Sequence, residues 1–552
     1  MSTARAVPAV TQSGQPVLIL KEGTSQTKGR EAQRNNIMAG KIIGEVVKTA
    51  LGPRGMDKML VDTFGDVTIT NDGATIVDEM DVQHPAAKMM VEVAKTTDKE
   101  VGDGTTSVVV LASSLLDKAE ALIDKNVHPT IIVDGYRKAA EKALEFYDKI
   151  AIKVDPLDKV MLGKIALTSV ASKLVSEKYL ADLTVDAVLQ VAQKSGDQYK
   201  VDIDDIKVEK KPGESLMQTK LIQGIVLDKE VVHSSMPKRV ENAKIALLDC
   251  ALEIEKTEFD AKINIESPDQ MKAFLDEEEQ MLKDMVGKVV KSGANVLVCQ
   301  KGIDDVAQHY LAKAGVLAVR RAKQSDMEKL AKAVGGRVVS NVDSLTKDDL
   351  GYAKLVEERK IEEDKWTFIE GCKNPRSVTL LVRGGTQRVV DEADRSLHDS
   401  ICVVRDVVQK PKVVAGGGAP EAQVASELRE WAEKLSGREQ LAALDFAEAL
   451  ESIPLILAEN AGLDPIDILV DLRSRHQKGE LWSGVDAFSG KVQDMTKLNV
   501  YEPLSVKEQI VKSASEVATM ILRIDDVIAA SKMKEPMPPK GPGEEAGKFG
   551  ED

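Results

Sequence analysis

Apolar residues recur at helical spacing over 34–51, with Ile42, Ile43, Val46, Val47 and Ala50 in register, and the run stops at Gly52-Pro53. Pro85 opens a second helical pattern that puts Met89, Met90, Val93 and Ala94 on one face. A third runs from about Ser107 to Lys125 and aligns Val108, Ala112, Leu115, Ala119 and Leu122. A fourth starts near Pro129 and carries Tyr136, Ala140, Leu144 and Tyr147. Between the first two lies a short β-like stretch, Val67-Thr68-Ile69-Thr70, ending in the turn signal Asn71-Asp72-Gly73.

From about residue 244 the rhythm changes. Short apolar runs at Ile245–Leu248, Val296–Cys299, Val316–Val319 and Val338–Val339 alternate with amphipathic helical patterns at 268–291, 303–314 and 326–334. This alternation predicts a separate α/β domain. A strand-like run, Val378–Val382, closes the section at Arg383-Gly384-Gly385. After Gly416-Gly417-Gly418 the pattern is helical to about 532, apart from an irregular stretch at 479–504. The Pro- and Gly-rich segment from Met533 cannot hold a helix and is expected to be a disordered tail.

Composition narrows the function. The 552 residues suggest three or four domains. Lys+Arg 75 against Asp+Glu 90 leaves −15, which argues against nucleic acid as the main partner. No apolar run approaches a membrane span, and residues 1–16 lack a signal-peptide core. Cys250, Cys299, Cys372 and Cys402 are scattered, which fits small buried hydrophobes in a reducing cytosol. With six His and no HExxH, histidine metal chemistry is not expected.

Candidate chemistry gathers at glycine-rich breaks. Gly102-Asp103-Gly104-Thr105-Thr106-Ser107 lies between two helical patterns and opens the second. A helix N-terminus offers N–H groups and partial positive charge to a phosphate, and Asp103 could hold Mg²⁺ through oxygen. An Asp-Gly turn with a threonine N-cap accounts for the same residues, since neither Walker A nor GxGxxG is present. Leu51-Gly52-Pro53-Arg54-Gly55 and Gly416-Gly417-Gly418 are each compatible with a plain helix cap. Together with the Asp72 carboxylate they suggest a phosphate site assembled from several loops.

The strings LGPRGMDKML (51–60), TITNDGATI (68–76), VGDGTTSVVVL (101–111), VRGGTQRVVDEADRSLHD (382–399), VVAGGGAPE (413–421) and GVDAFSGKVQDM (484–495) resemble those of the group II chaperonins. Archaeal thermosome subunits and cytosolic eukaryotic chaperonin subunits are both similar, over nearly the whole chain. The resemblance implies a multidomain α+β subunit with a mainly helical equatorial domain built from both chain ends (1–152 and 412–532). It also implies a small intermediate domain (153–220 and 377–411) and an α/β apical, substrate-binding domain (221–376) with a helical lid protrusion near 250–267.

Residue by residue, the resemblance implies that Leu51, Gly52 and Pro53 line the nucleotide, ATP or ADP, and that Asp103 ligates Mg²⁺. Gly104, Thr105, Thr106 and Ser107 would wrap the phosphates; Gly417 would approach the sugar, and Asp494 would bond its hydroxyls. Asp72 and Asp399 would orient the attacking water, and Lys173 would sense the γ-phosphate. Leu252, Ile254, Phe259 and Ile263 would belong to the lid and touch unfolded clients. Three departures stand out: the tail has no Gly-Met repeats, Lys173 lacks flanking glycines, and Asp486 stands where asparagine is common near the base. The implied partners are identical or paralogous subunits in a cytoplasmic double ring and unfolded protein, with no nucleic acid and no membrane. A soluble metabolic ATPase or kinase and a filament-forming assembly protein are the rival readings, and no second substrate motif supports the former.

Overall fold

A computed structural model describes residues 8–10, 16–18, 25–171, 178–196, 198–254, 267–372 and 376–529. The helical body is built from the two ends of the chain. From the first end come α1 (Gly29–Lys48), the short α2 (Gly73–Asp78), α3 (Pro85–Val101), α4 (Thr105–Asp124) and α5 (Pro129–Ile150). Helix α4 is the axis: Val108, Val109, Val110, Leu111 and Ala112 are all buried, so it has no solvent face over its first half. Helix α1 lies against it because Gly40 and Gly44 are one turn apart on the contact face. A Cβ on Gly40 would lie 2.5 Å from the Leu116 side chain, and one on Gly44 would overlap Ser113. Tyr136 of α5 is fully buried, donates to the Leu115 carbonyl at 2.9 Å and meets Phe446 edge-on at 5.8 Å. Its hydroxyl is therefore satisfied inside an otherwise apolar core.

The middle of the chain leaves this body and returns to it. Helix α7 (Lys178–Val191) packs on a three-stranded sheet ordered Lys220–Ile222, Val378–Gly384, Ile206–Pro212, and α6 (Lys159–Val170) packs on α7. Beyond it stands a seven-stranded mixed sheet. The strand Arg239–Leu248 pairs in parallel with Val296–Cys299, which pairs in parallel with Leu317–Val319. Helices α8 (Pro268–Ser292), α9 (Asp305–Lys313) and α10 (Gln324–Val334) complete this α/β unit. Ile245–Leu248 and Val296–Cys299 are buried throughout, as expected of parallel strands covered on both faces. The α/β rhythm read from sequence is thus present, with each boundary within a few residues.

The chain then re-enters through α11 (Gln387–Gln409) and supplies α12 (Ala419–Ala432), α13 (Arg438–Leu450), α14 (Ser452–Asn460), α15 (Pro465–Gln477) and α16 (Leu504–Leu522). Helix α16 packs on α4, α5 and α3, so Val47, Leu111, Phe446 and Ile521 share one core although they span most of the sequence.

Three expectations change. Asn71-Asp72-Gly73 is no hairpin turn; Asp72 caps α2, its carboxylate accepting from Thr75 N–H, because a short side-chain acceptor ahead of an apolar run is an N-cap signal. The C-terminal helix stops at Leu522, and Asp526–Ala529 pairs antiparallel with Ser25–Lys28. The acidic pair Asp525-Asp526 opposes the negative end of a helix dipole, and Val527 and Ile528 are β-branched. A long hairpin, Gly351–Ile361 with Asp364–Glu370, is invisible in the apolar pattern because charged residues fill its outward positions. The segment from residue 530 lies outside the described residues.

The cysteines are free; Cys250 is half-buried and the other three are buried. Burial pushes the Cys299 thiol up to about 12 and the Cys372 thiol up to about 11, and raises Cys402 further. Maleimide labelling of the native protein at pH 8 is therefore expected to modify Cys250 first, with the other three reacting only on unfolding; rapid native labelling of Cys402 would contradict this burial.

Candidate nucleotide site

Three chain breaks converge on α4 and α14. Helix α3 ends at Gly102 (φ 69°) and α4 begins after Gly104 (φ 78°), so the connection is a tight left-handed loop holding only Asp103 between the glycines. Gly104 has no side chain to cap α4. The N–H groups of Thr105, Thr106 and Ser107 precede the first intrahelical bond, from Val108 N–H to Gly104 O at 2.9 Å. A 20-residue helix thus presents its positive end without a side-chain cap from Gly104. The Asp103 carboxylate accepts from Gly104 N–H at 2.6 Å, which fixes the loop.

Asp72 joins this loop directly. One of its oxygens accepts from Thr75 N–H (2.8 Å) and Thr75 Oγ1 (2.7 Å), and the other accepts from Thr105 Oγ1 at 3.0 Å. Gly73 lies so close to α4 that a Cβ there would stand 2.6 Å from Thr106 N. The remaining breaks rest on α14. Asn460 Nδ2 donates to the carbonyls of Lys48 (2.9 Å) and Leu51 (2.8 Å), and Leu457 lies under Gly52. Pro454 lies under Gly418, where a Cβ would come within 2.6 Å. Gly417 accepts from Val485 N–H at 2.8 Å, which ties the glycine triplet to the hairpin of Ser483–Asp486 and Lys491–Asp494.

That hairpin carries two of the expected residues. Asp486 is buried and accepts from Phe488 N–H (3.0 Å) and Gln493 Nε2 (3.3 Å); burial raises its pKa, but the hydrogen bonds of its turn outweigh that and hold it low. It is committed to its own turn. Asp494 accepts from Thr496 N–H at 3.0 Å and Thr496 Oγ1 at 2.6 Å, and lines a cleft of about 660 Å³ with Arg475, Trp482, Gln493 and Lys497.

Asp399 arrives from α11. It is buried, on a stripe with Arg395, Cys402 and Asp406, whose 4, 3, 4 spacing marks one helix face. This stripe meets the loops of the helical body at several points. Cys402 seats on Gly102, where a Cβ would stand 2.5 Å from Sγ. Arg405 Nη2 donates to the Glu100 carbonyl at 2.6 Å, and Arg395 Nη2 reaches the Ile69 carbonyl at 3.5 Å. Asp399 therefore sits on the docked face, between contacts to the segment before Asp72 and the segment before Asp103.

Two groups of expected residues fall elsewhere. Leu252 does not face a client: it is fully buried and bridges Ile303, its N–H donating to Gly302 O at 3.1 Å. The α/β core extends past the end of its strand and absorbs it, and Ile254 packs half-buried against the same core. Lys173, Phe259 and Ile263 lie outside the described residues.

A buried ionic network beneath the loop has no counterpart in the sequence reading. Lys507 Nζ pairs with Glu421 Oε1 at 2.8 Å and with Glu502, and the Lys507 and Glu421 side chains are 4% and 1% exposed. Burial raises the Glu502 carboxyl; Lys507 opposes the shift, and Glu421 and Asp103 add to it. Burial likewise raises Asp406 to about 6, against the pull of Arg405 and with Asp103 among the groups that push it up. Asp103, Asp406, Glu421 and Glu502 set four carboxylates against the two cations Arg405 and Lys507. Among the described residues no group of three or more His, Cys, Asp or Glu side chains could hold a metal ion by itself; Asp103 is a single carboxylate at the head of α4, which suits a Mg²⁺ shared with phosphate oxygens. The only sequence trace of the network is a lysine at a buried helical position between Val506 and Ile510.

The model of the TCP-1/cpn60 chaperonin family matches residues 43–532. The thermosome subunit alpha of Archaeoglobus fulgidus is 59% identical over 533 residues, covering 96% of this chain and 98% of its own. The thermosome subunit beta of Thermococcus kodakarensis is 59% identical over 524 residues, covering 95% and 96%. Among solved structures, an open-state monomer of a group II chaperonin from Methanococcoides burtonii superposes with a TM-score of 0.58 at 46% identity, covering 77% of this chain and all of that one. The chain belongs to the TCP-1/cpn60 chaperonin family. Within it, the chain is of the group II, thermosome-like kind.

Lys507→Met would leave Glu421 and Glu502 without the cation between them. It is expected to cost about 3–5 kcal/mol in chemical denaturation. Adding Glu421→Gln and Glu502→Gln should restore much of that loss, because the uncompensated charges go with them.

Proposed function

We propose that the chain is one subunit of a cytoplasmic double ring of identical or paralogous subunits that encloses unfolded protein and is driven by ATP. The observation that carries this reading is the docking of α11 on the two loops that hold Asp72 and Asp103, with Asp399 on the docked face. The thermosome relatives support the assembly, and no described helix is long and apolar enough to cross a membrane.

In this reading the N–H groups of Thr105, Thr106 and Ser107 bind the phosphates at the positive end of α4. Leu51, Gly52 and Pro53 line the nucleotide, held in place from below by Asn460 and Leu457. Gly417 leaves room for the sugar and Asp494 bonds its hydroxyls. Asp486 supports the hairpin near the base rather than reaching the ligand, since its oxygens already serve the turn. Asp103 would hold Mg²⁺, which supplies charge neutralisation at the phosphates. Thr105 fixes Asp72, so that Asp72 and Asp399 accept hydrogen bonds from a water placed between them and orient it for in-line attack. Because Asp399 belongs to a helix outside the helical body, hydrolysis is tied to where that helix sits, and through it to the α/β unit. Lys173 would sense the γ-phosphate, and the protrusion around 251–266 would close the chamber.

Asp399→Ala is expected to keep ATP binding and lose about 10² to 10⁴ in hydrolysis rate; weaker binding with unchanged turnover would contradict its role. Asp103→Ala is expected to raise the Mg²⁺ needed for half-maximal activity, and an unaltered Mg²⁺ titration would reduce Asp103 to a turn residue. Deleting 255–266, which leaves the buried Leu252 and the half-buried Ile254 in place, should spare ring assembly and ATPase activity while abolishing protease protection of an enclosed client. Full protection by the deletion variant would place the lid elsewhere.

A further inference from the structure

Helix α11 must do more than carry Asp399. A carboxylate that orients water needs its angle fixed as well as its approach. Apolar packing sets the approach: Ile401, Val403, Val404, Val407 and Val408 join the buried core and Cys402 seats on Gly102, but such contacts carry little direction. The directional contact is Arg405. Its Nη2 donates to the Glu100 carbonyl in the last turn of α3 at 2.6 Å, two residues before Gly102. The same guanidinium grips Asp406 through Nε (2.8 Å) and Nη2 (2.6 Å), and Asp406 in turn accepts from Ser505 Oγ of α16 at 3.1 Å. The relay therefore ties α3, α11 and α16 together one and a half turns from Asp399. The guanidinium is 11% exposed and Asp406 7%, so water competes little for these bonds. At the other end of the stripe Arg395, held by Glu392 at 2.8 Å, makes the longer 3.5 Å contact to Ile69 O. The two arginines bracket Asp399, and the Arg405 end is the shorter and more buried.

We infer that Arg405 is a positioning residue for ATP hydrolysis, fixing the rotation of α11 so that Asp399 faces the water held with Asp72. This rests on the assignment of Asp399 as a water-orienting group. Arg405 touches no nucleotide in this account; it acts through the Glu100 carbonyl and Asp406. A surface-stabilising arginine would instead change stability and leave the chemical step alone.

The test uses the assembled full-length protein and compares single-turnover ATP hydrolysis with equilibrium ATP binding. The variants are Arg405→Ala, Arg405→Lys, Asp399→Ala and the Asp399→Ala/Arg405→Ala pair. Arg405→Ala is expected to slow the chemical step about 10- to 100-fold while ATP affinity stays within about twofold, the size of effect that a misplaced group produces. Arg405→Lys keeps a cation beside the buried Asp406 and so preserves the fold, but lacks the planar fork. It is expected to slow the step about 3- to 10-fold at unchanged affinity. In the Asp399→Ala background, Arg405→Ala should add less than about twofold, because the group it positions is already gone. A full multiplicative loss in the double variant, or wild-type rates in both Arg405 variants, would overturn the inference while leaving Asp399 in place. A wild-type rate for Asp399→Ala alone would overturn the assignment beneath it, so the two failures are told apart. Should Arg405→Ala not assemble, Arg405→Lys decides the matter in both backgrounds, a wild-type rate or full multiplicativity counting against the inference.

Discussion

The proposed chemistry depends on one helix, α11, lying against the loops of the helical body. Helix α11 starts beside the three-stranded sheet, and its middle bears on the end of α3 and the start of α4. Its polar contacts are a guanidinium on a carbonyl, a second at longer range, Asp406 accepting from Ser505 of α16, and Lys410 paired with Glu508. They lie beside apolar packing, for Ile401, Val403, Val404, Val407 and Val408 of α11 belong to the same buried core as the helical body. The apolar contacts hold the helix close, and the polar ones give its seat a direction.

The helical body supplies the opposite property. Its core runs without interruption from α1 through α16, so the loops at its surface are held by buried packing on one side. Glycines appear at the close approaches: Gly73 meets the Thr106 backbone and Gly102 the Cys402 side chain, and neither contact leaves room for a Cβ. The N-terminus of α4 is thus set by a rigid scaffold, and Asp399 is carried towards it on α11, a helix that begins beside the three-stranded sheet. A buried ionic network, with Lys507 between Glu421 and Glu502 and Arg405 on Asp406, underlies the junction.

Much of this was legible in the residues. Helix limits followed from Gly52-Pro53, Pro85, Pro129 and Gly416-Gly417-Gly418, because glycine and proline act locally. The parallel strands were legible because burial on both faces makes them continuous apolar runs. The hairpin of Gly351–Ile361 and Asp364–Glu370 was not, since its charged positions blur any alternation. Asp72 was read as part of a turn because Asn-Asp-Gly favours both a turn and a helix cap, and only the packing of Gly73 on α4 selects between them. Leu252 was placed in the lid by resemblance, although the α/β core reaches it in space. The motif strings pointed to Asp72, Asp103 and Thr105, which lie on adjoining loops, whereas Arg405, Asp406, Glu502 and Lys507 carry no local pattern that distinguishes a buried ion from a solvated one.

The central claim is that nucleotide phosphates sit on the N-terminus of α4 while Asp399 faces them from docked α11. The most direct measurement is an experimental structure of the assembled protein with Mg²⁺, ADP and a fluoroaluminate in place of the γ-phosphate. The account predicts density for the phosphates against Thr105, Thr106 and Ser107, the metal on Asp103, and a water between Asp72 and Asp399. Nucleotide bound instead in the cleft lined by Arg475, Trp482 and Lys497, or Asp399 turned away from an occupied α4 terminus, would contradict it.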